Sequence, residues 1–248
     1  MIYVVSDLYD TGSVRGPRNV CFQDIAVSGS DAGPHAAFVQ LKDTYMRGEE
    51  RLQQAIKLGT RIFIGNHFPE ELQAEGALTL VHVEDPLAEL IRLTAMLRSD
   101  SHATFIAVTG SSGKTTTKDM IAHLLRGRHR NTLKTFRNYN GLLGIPLTLR
   151  RLRPDDRYAV LEIGLGDPGS VARGAALVRP HVSVVTNVGE SHIGRFRDLP
   201  TIAREKSAIL HHIPSGGLAV LNGDDPYCRE MQTACNAEVM FFGRGADC

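Results

Sequence analysis

The chain has 248 residues, and 28 Lys and Arg against 27 Asp and Glu leave a formal charge of +1. That balance excludes the broad basic field that draws nucleic acid or an anionic membrane surface. An apolar fraction of 42% with 22% charged residues is that of a folded globular protein. The length predicts two domains, each able to bury its own core. Cys21, Cys228, Cys235 and Cys248 form neither a CxxC pair nor a secreted disulfide spacing, and MIYVVSDLYD lacks the basic flank of an export signal. No apolar run approaches the roughly 18 residues of a membrane helix. The expectation is an untargeted cytoplasmic protein without a membrane span.

In chain order, 2–5, 36–41, 61–65 and 78–83 read as strands, and GEERLQQAIKLG (48–59) reads as a helix ending at a glycine. DPLAELIRLTAMLRSD (85–100) predicts a helix with Leu87, Leu90, Ile91 and Leu97 on one face and Thr94 among them. It closes a first domain over residues 1–100. The second domain, 101–248, opens with the β-branched strand TFIAVTG (104–110), then a glycine loop. The helix after it sets Met120, Ile121, Leu124 and Leu125 on one stripe. Further strands are expected at 158–164, 181–188, 217–222 and 237–242. Near-continuous apolar strands alternating with helices predict an α/β fold: a small N-terminal α/β domain, then a domain with a largely parallel sheet covered on both faces. In such sheets ligands sit at the carboxyl ends of the strands.

Strand, glycine loop and helix at TGSSGKTTTKD (109–119) have the chemistry of a phosphate site. Backbone N–H groups converge at a helix N-terminus, where the dipole also favours an anion. Gly110 and Gly113 permit the tight path, Lys114 can reach terminal phosphates, and the Thr115 hydroxyl can ligate Mg2+. The spacing is GxxGKT, with Val108 where the commoner GxxxxGK[ST] form has its first glycine. The plainer alternative is a glycine turn with an exposed lysine. Glu162, closing the apolar strand in VLEIGLGDPG, is costly to bury without a cation and is a candidate metal ligand or a surface strand end. His192, in TNVGESHIGRF, is a candidate ligand or a structural histidine.

Four stretches, TGSSGKTTTKDM (109–120), NYNGLLGIPLTL (138–149), LEIGLGDPGSVA (161–172) and TNVGESHIGRFRDLPTIAREKSAIL (186–210), resemble the Mur ligase family of ATP-dependent amide-forming enzymes. The resemblance implies a P-loop ATPase domain over 101–248, incomplete at its C-terminal end, and a diverged substrate-binding domain over 1–100. It implies ATP and Mg2+ as cofactors, with Gly110, Ser111, Ser112, Gly113, Lys114, Thr115 and Thr116 on the phosphates. Glu162 and His192, with Thr115, become metal ligands. Lys206, in AREKSAIL, takes the place of a carbamylated lysine supporting the second metal; the alternative is an unmodified, exposed lysine. Asn222, in VLNGDDP, matches the position on the adenine side, with Asp225 nearby, though a strand-to-turn reading explains them nearly as well. Asn138, with Asn140, matches a loop beside the reacting carboxylate and γ-phosphate, and Gly141 stands where a further asparagine is usual.

The implied reaction is carboxylate–amine ligation through an acyl phosphate. The implied substrates are a carboxylate-bearing precursor and an amine, a UDP-MurNAc-peptide and D-Ala-D-Ala in the cell-wall branch. VSGSD stands where an Asp-Ser-Arg stretch is usual in the first domain. The chain ends before the rest of the ATPase sheet and an amine-delivering third domain, so a fragment or a shortened homologue needing a partner chain is expected. A nucleotide-binding module without ligation and a phosphotransferase are the alternatives.

Overall fold

The computed structural model describes residues 1–41, 48–74, 76–129, 131–191 and 193–245. The chain divides into two compact units, Met1–Met96 and Leu97–Cys248.

In the first unit, β1 (Tyr3–Val4) gives way at once to a helical turn, α1 (Val5–Leu8). The strand expected over 2–5 is therefore two residues long, because Val5 and Ser6 turn their N–H groups to the carbonyls of Val20 and Arg18. Three short strands not anticipated follow, β2 (Val14–Arg15), β3 (Cys21–Phe22) and β4 (Asp24–Ala26). Each is too brief to show a period in sequence. The expected β5 (Ala36–Val39), α2 (Gly48–Lys57), β6 (Ile62–Gly65) and β7 (Thr79–His82) come next, with a short helix not anticipated, α3 (Glu70–Ala74), before β7. The sheet order is β2-β7-β6-β5-β4, parallel except for β2. Its core packs Phe38 and Phe63, with ring centroids 6.0 Å apart, against Leu52, Leu72 and Leu80.

The chain crosses between the units along α4 (Pro86–Asp100). Leu90, Thr94 and Leu97 are buried as expected, with Leu93 beside them, and the Thr94 hydroxyl donates to the carbonyls of Leu90 and Ile91. Leu87, expected on that face, is exposed.

In the second unit the chain runs β8 (Thr104–Thr109), α5 (Lys114–Arg128), β9 (Thr132–Lys134), α6 (Gly144–Leu149), β10 (Tyr158–Glu162), α7 (Ser170–Val178) and β11 (Val182–Val185). It continues through α8 (Ile193–Phe196), α9 (Leu199–Ser207), β12 (Leu218–Asn222), α10 (Pro226–Glu230) and β13 (Glu238–Phe242). These strands form one sheet, β13-β12-β11-β8-β10-β9, parallel at every pairing. The alternation of β8 feeds two cores. Phe105 and Ala107 join Leu161, Ile163 and Val185 on one face, while Ile106 and Val108 join Val160, Val184 and Ala122 of α5 on the other.

The inward row of α5 is Lys118, Ile121, Ala122 and Leu125. Met120 and Leu124, expected on that stripe, fall on the far side of the 3.6-residue turn and are 61% and 69% exposed. Among the described residues, no helix is long and apolar enough to cross a membrane.

Candidate active site

Register sets the stage. Glu162 pairs with Val108, and Val185 pairs with Thr109, so β8, β10 and β11 end at one level. Beyond β8 the chain turns through Gly110 (φ +150°) and Gly113 (φ +77°), both in backbone regions that favour glycine. A Cβ on Gly110 would lie 1.9 Å from Thr186 Oγ1, so only glycine lets the loop approach β11 so closely. The Thr117 N–H bonds back to the Gly113 carbonyl at 2.9 Å. The N–H groups of Gly113, Lys114, Thr115 and Thr116 therefore precede the helical ladder and lack helical acceptors, the condition for anion binding at a helix N-terminus.

Lys114 arches over this loop, its Nζ donating to the Gly110 carbonyl at 2.8 Å. Burial pulls its pKa below the usual lysine value, and the charge on Glu162 opposes that pull. Thr115 Oγ1 donates to Glu162 Oε2 at 2.7 Å, and Asn140 Nδ2 donates to Glu162 Oε1 at 2.6 Å. Glu162 itself is 1% exposed. A buried carboxylate and a threonine hydroxyl in contact beside a phosphate-type loop form a hard-oxygen pair of the kind Mg2+ accepts together with phosphate oxygens. The residues present thus fit a magnesium–nucleotide. His192 lies outside the described residues.

Lys206, on α9, is 1% exposed, which overturns the exposed-lysine alternative. Among the described residues, no hydrogen-bond acceptor meets its ammonium. Its pKa is lowered to about 8, by burial first and then by the neighbouring Lys114 charge, with a small opposing pull from Cys228.

The other expected residues brace the site. The Ser111 hydroxyl donates to the Gly189 carbonyl at 3.0 Å and accepts from the Gly189 N–H at 2.7 Å. Ser112 exchanges bonds with Asn187, its N–H donating to Oδ1 and its Oγ accepting from Nδ2, both at 2.9 Å. Asn222 Nδ2 donates to the Thr186 carbonyl at 2.9 Å. The Asp225 carboxylate accepts from the N–H groups of Tyr227 and Cys228, capping α10, and from Val188 at 2.7 Å. Thr116 and Asn138 are exposed, and it is Asn140, two residues past Asn138, that reaches Glu162.

Three contributors escaped the sequence reading: Lys118, Thr186 and Asn187. Thr186 Oγ1 donates to the Ser112 carbonyl at 2.6 Å. Lys118, 1% exposed, donates to the carbonyls of Thr135 and Arg137. The available signals were a second lysine one helical turn after Lys114 and a polar Thr-Asn pair closing an apolar strand.

A sequence profile of the Mur ligase middle domain matches residues 108–247. The chain belongs to the Mur ligase family. It is 31% identical over 236 residues to the UDP-N-acetylmuramoyl-tripeptide–D-alanyl-D-alanine ligase of Bacillus subtilis (strain 168), a match covering 94% of this chain and 50% of that protein. A crystal structure of MurF from Acinetobacter baumannii superposes with a TM-score of 0.78 at 31% identity, covering 91% of this chain and 49% of that one. The MurF ligase of Thermotoga maritima, solved in complex with ADP, gives 0.75 at 27%, covering 89% and 50%. The chain thus spans about half the length of these relatives. The Mur ligase profile begins at Val108 and takes in the glycine loop, Glu162, Lys206 and Asn222. Every contact of the candidate site lies within the matched residues 108–247.

Proposed function

We propose that this chain carries the nucleotide-binding half of an ATP-dependent carboxylate–amine ligase of cell-wall precursor synthesis. The observation that carries the reading is the Thr115–Glu162 oxygen pair at 2.7 Å beside Lys114 and four N–H groups without helical acceptors. In this reading the loop from Gly110 to Thr116 holds the triphosphate of ATP, and Lys114 leaves its loop carbonyls to neutralise the terminal phosphates. Thr115 and Glu162, with His192, would hold Mg2+, which would polarise the phosphoryl oxygens and shield the incoming carboxylate from their charge.

A carboxylate oxygen of the precursor attacks the γ-phosphorus, the bond to the bridging oxygen breaks, and ADP leaves an acyl phosphate. The amine nitrogen then attacks the acyl carbon, phosphate departs with the C–O electron pair, and the amine proton passes to water. The chain's contribution is positioning and charge compensation. Asn140 fixes the carboxylate of Glu162, and Asn138, exposed on the same loop, faces the substrate.

Lys206 is prepared for carbamylation. A pKa near 8 leaves about a tenth of the amines neutral and nucleophilic at pH 7, against about one in three thousand at the ordinary value. Asn222 and Asp225 shape the adenine side through the 186–189 loop. The names of the relatives support a UDP-N-acetylmuramoyl-tripeptide and D-alanyl-D-alanine as substrates, and the first unit is assigned to the precursor.

The test is trapping by hydroxylamine. A protein carrying this segment, given Mg-ATP and the UDP-linked tripeptide, should yield a hydroxamate, and D-Ala-D-Ala should suppress it while releasing phosphate. Tight Mg-ATP binding with no hydroxamate on the tripeptide would refute the ligase reading in favour of a nucleotide-binding module.

A further inference from the structure

We propose that Lys118 is a positioning residue for the magnesium corner of the site, acting through the 135–140 segment on Glu162. The inference rests on the reading of Glu162 as a metal ligand. The Lys118 side chain is buried to 1% exposure, where a leucine or methionine would fill the same space without bringing in a polar nitrogen that needs acceptors. Both of its hydrogen bonds go to one segment. Nζ donates to the Thr135 carbonyl at 3.0 Å and to the Arg137 carbonyl at 2.9 Å, and it lies 3.3 Å from the carboxylate of Asp119.

Both carbonyls belong to the stretch that leads from β9 to Asn140. Arg137 sits at φ +51°, a left-handed conformation a non-glycine residue holds only when its surroundings fix it. Thr135 is completely buried, and its Oγ1 accepts from the backbone N–H of Glu162 at 3.0 Å. Three residues past Arg137, the Asn140 carbonyl accepts from the Gly164 N–H at 2.9 Å while its Nδ2 holds the Glu162 carboxylate. A Cβ on Gly164 would come within 2.5 Å of Asn140 Oδ1.

Glu162 is therefore held at its backbone by Thr135 and at its carboxylate by Asn140, and Lys118 anchors the segment bearing both. One turn earlier on the same helix, Thr115 grips the other carboxylate oxygen. The helix that presents the phosphate loop thus also sets the metal-ligating carboxylate, so loop and metal corner stay in register.

Titration calorimetry of ATP into the 248-residue chain, at several Mg2+ concentrations and without metal, tests this. Lys118→Met should reduce the Mg2+-dependent gain in ATP affinity by about tenfold and leave the metal-free affinity within about twofold. Lys118→Arg should recover most of the gain, since a guanidinium can still reach two carbonyls. Glu162→Gln should lower the gain comparably, and the double variant Lys118→Met/Glu162→Gln should be no worse than Glu162→Gln alone. An unchanged Mg2+ dependence in Lys118→Met, or an additive double variant, overturns the proposal. If circular dichroism shows Lys118→Met unfolded, Asn140→Ala carries the same expectation, and its retention of the full Mg2+ gain overturns it too. A wild-type chain that binds ATP equally with and without Mg2+ overturns the metal reading itself and the proposal with it. That outcome is distinguishable because it appears before any substitution is made.

Discussion

Replacing Lys206 with methionine should make the protein more stable near neutral pH, and the gain should fade as the pH rises. The side chain is 1% exposed, and its pKa falls from the ordinary 10.5 to about 8. The folded state therefore disfavours the ammonium that the unfolded chain keeps. At about 1.4 kcal/mol per pH unit, the interval corresponds to a penalty of about 3 kcal/mol. It is fully present below pH 8, where both states are protonated. It disappears between pH 8 and 10.5, where the folded state has lost the proton and the unfolded state still binds it. The stability of the wild type relative to Lys206→Met should thus be flat up to about pH 7.5 and climb by about 3 kcal/mol by pH 10.5. Urea unfolding of both proteins across that range, in buffer stripped of carbon dioxide to prevent carbamate formation, gives the difference directly. Packing changes caused by methionine shift the whole curve without tilting it. A difference independent of pH would refute the view that burial disfavours the charged form of Lys206.

Other substitutions follow from the same contacts. Gly110→Ala must place its Cβ within 1.9 Å of Thr186 Oγ1 and 3.2 Å of the Asn187 nitrogen. It should cost about 1–3 kcal/mol in urea unfolding and weaken ATP binding together. Arg98→Met removes bonds to the carbonyls of Val178 (2.5 Å) and Arg179 (2.6 Å) at the end of α7, and a guanidinium stacked 3.9 Å from the Phe105 ring centre. A loss of about 2–4 kcal/mol is expected without a change in ATP affinity once the protein is folded. Asp225→Ala strips the cap from α10 and frees the Val188 N–H, so the midpoint of thermal unfolding should fall, at a cost of about 1–2 kcal/mol. An unchanged midpoint with weakened ATP binding would instead make Asp225 a ligand contact.

The parallel sheet and the loop–helix junction were legible because they rest on short-range rules. β-Branched apolar runs, glycines and an adjacent lysine each act within a few residues. The orientation of α5 was not, since Met120 and Leu124 are apolar and yet exposed, while Lys118 is charged and buried. Hydrophobic periodicity cannot anticipate a buried ammonium whose acceptors are backbone carbonyls seventeen and nineteen residues away. The same limit hid the bracing of the phosphate loop. Ser111 and Ser112 read as phosphate contacts, yet their hydroxyls bond to residues 187 and 189, brought near only by the pairing of β8 with β11. Asn140 was read only as a neighbour of the reacting groups, because its grip on Glu162 depends on the path of an irregular segment.

The Gly110–Thr116 loop, with Thr115 and Glu162, is proposed to bind a magnesium–nucleoside triphosphate. Titration of Mg-ATP into the wild-type chain and into Lys114→Ala tests it most directly. Saturable binding by the wild type and at least a tenfold weaker affinity in a folded Lys114→Ala are expected. Equal affinity in the two proteins would contradict it.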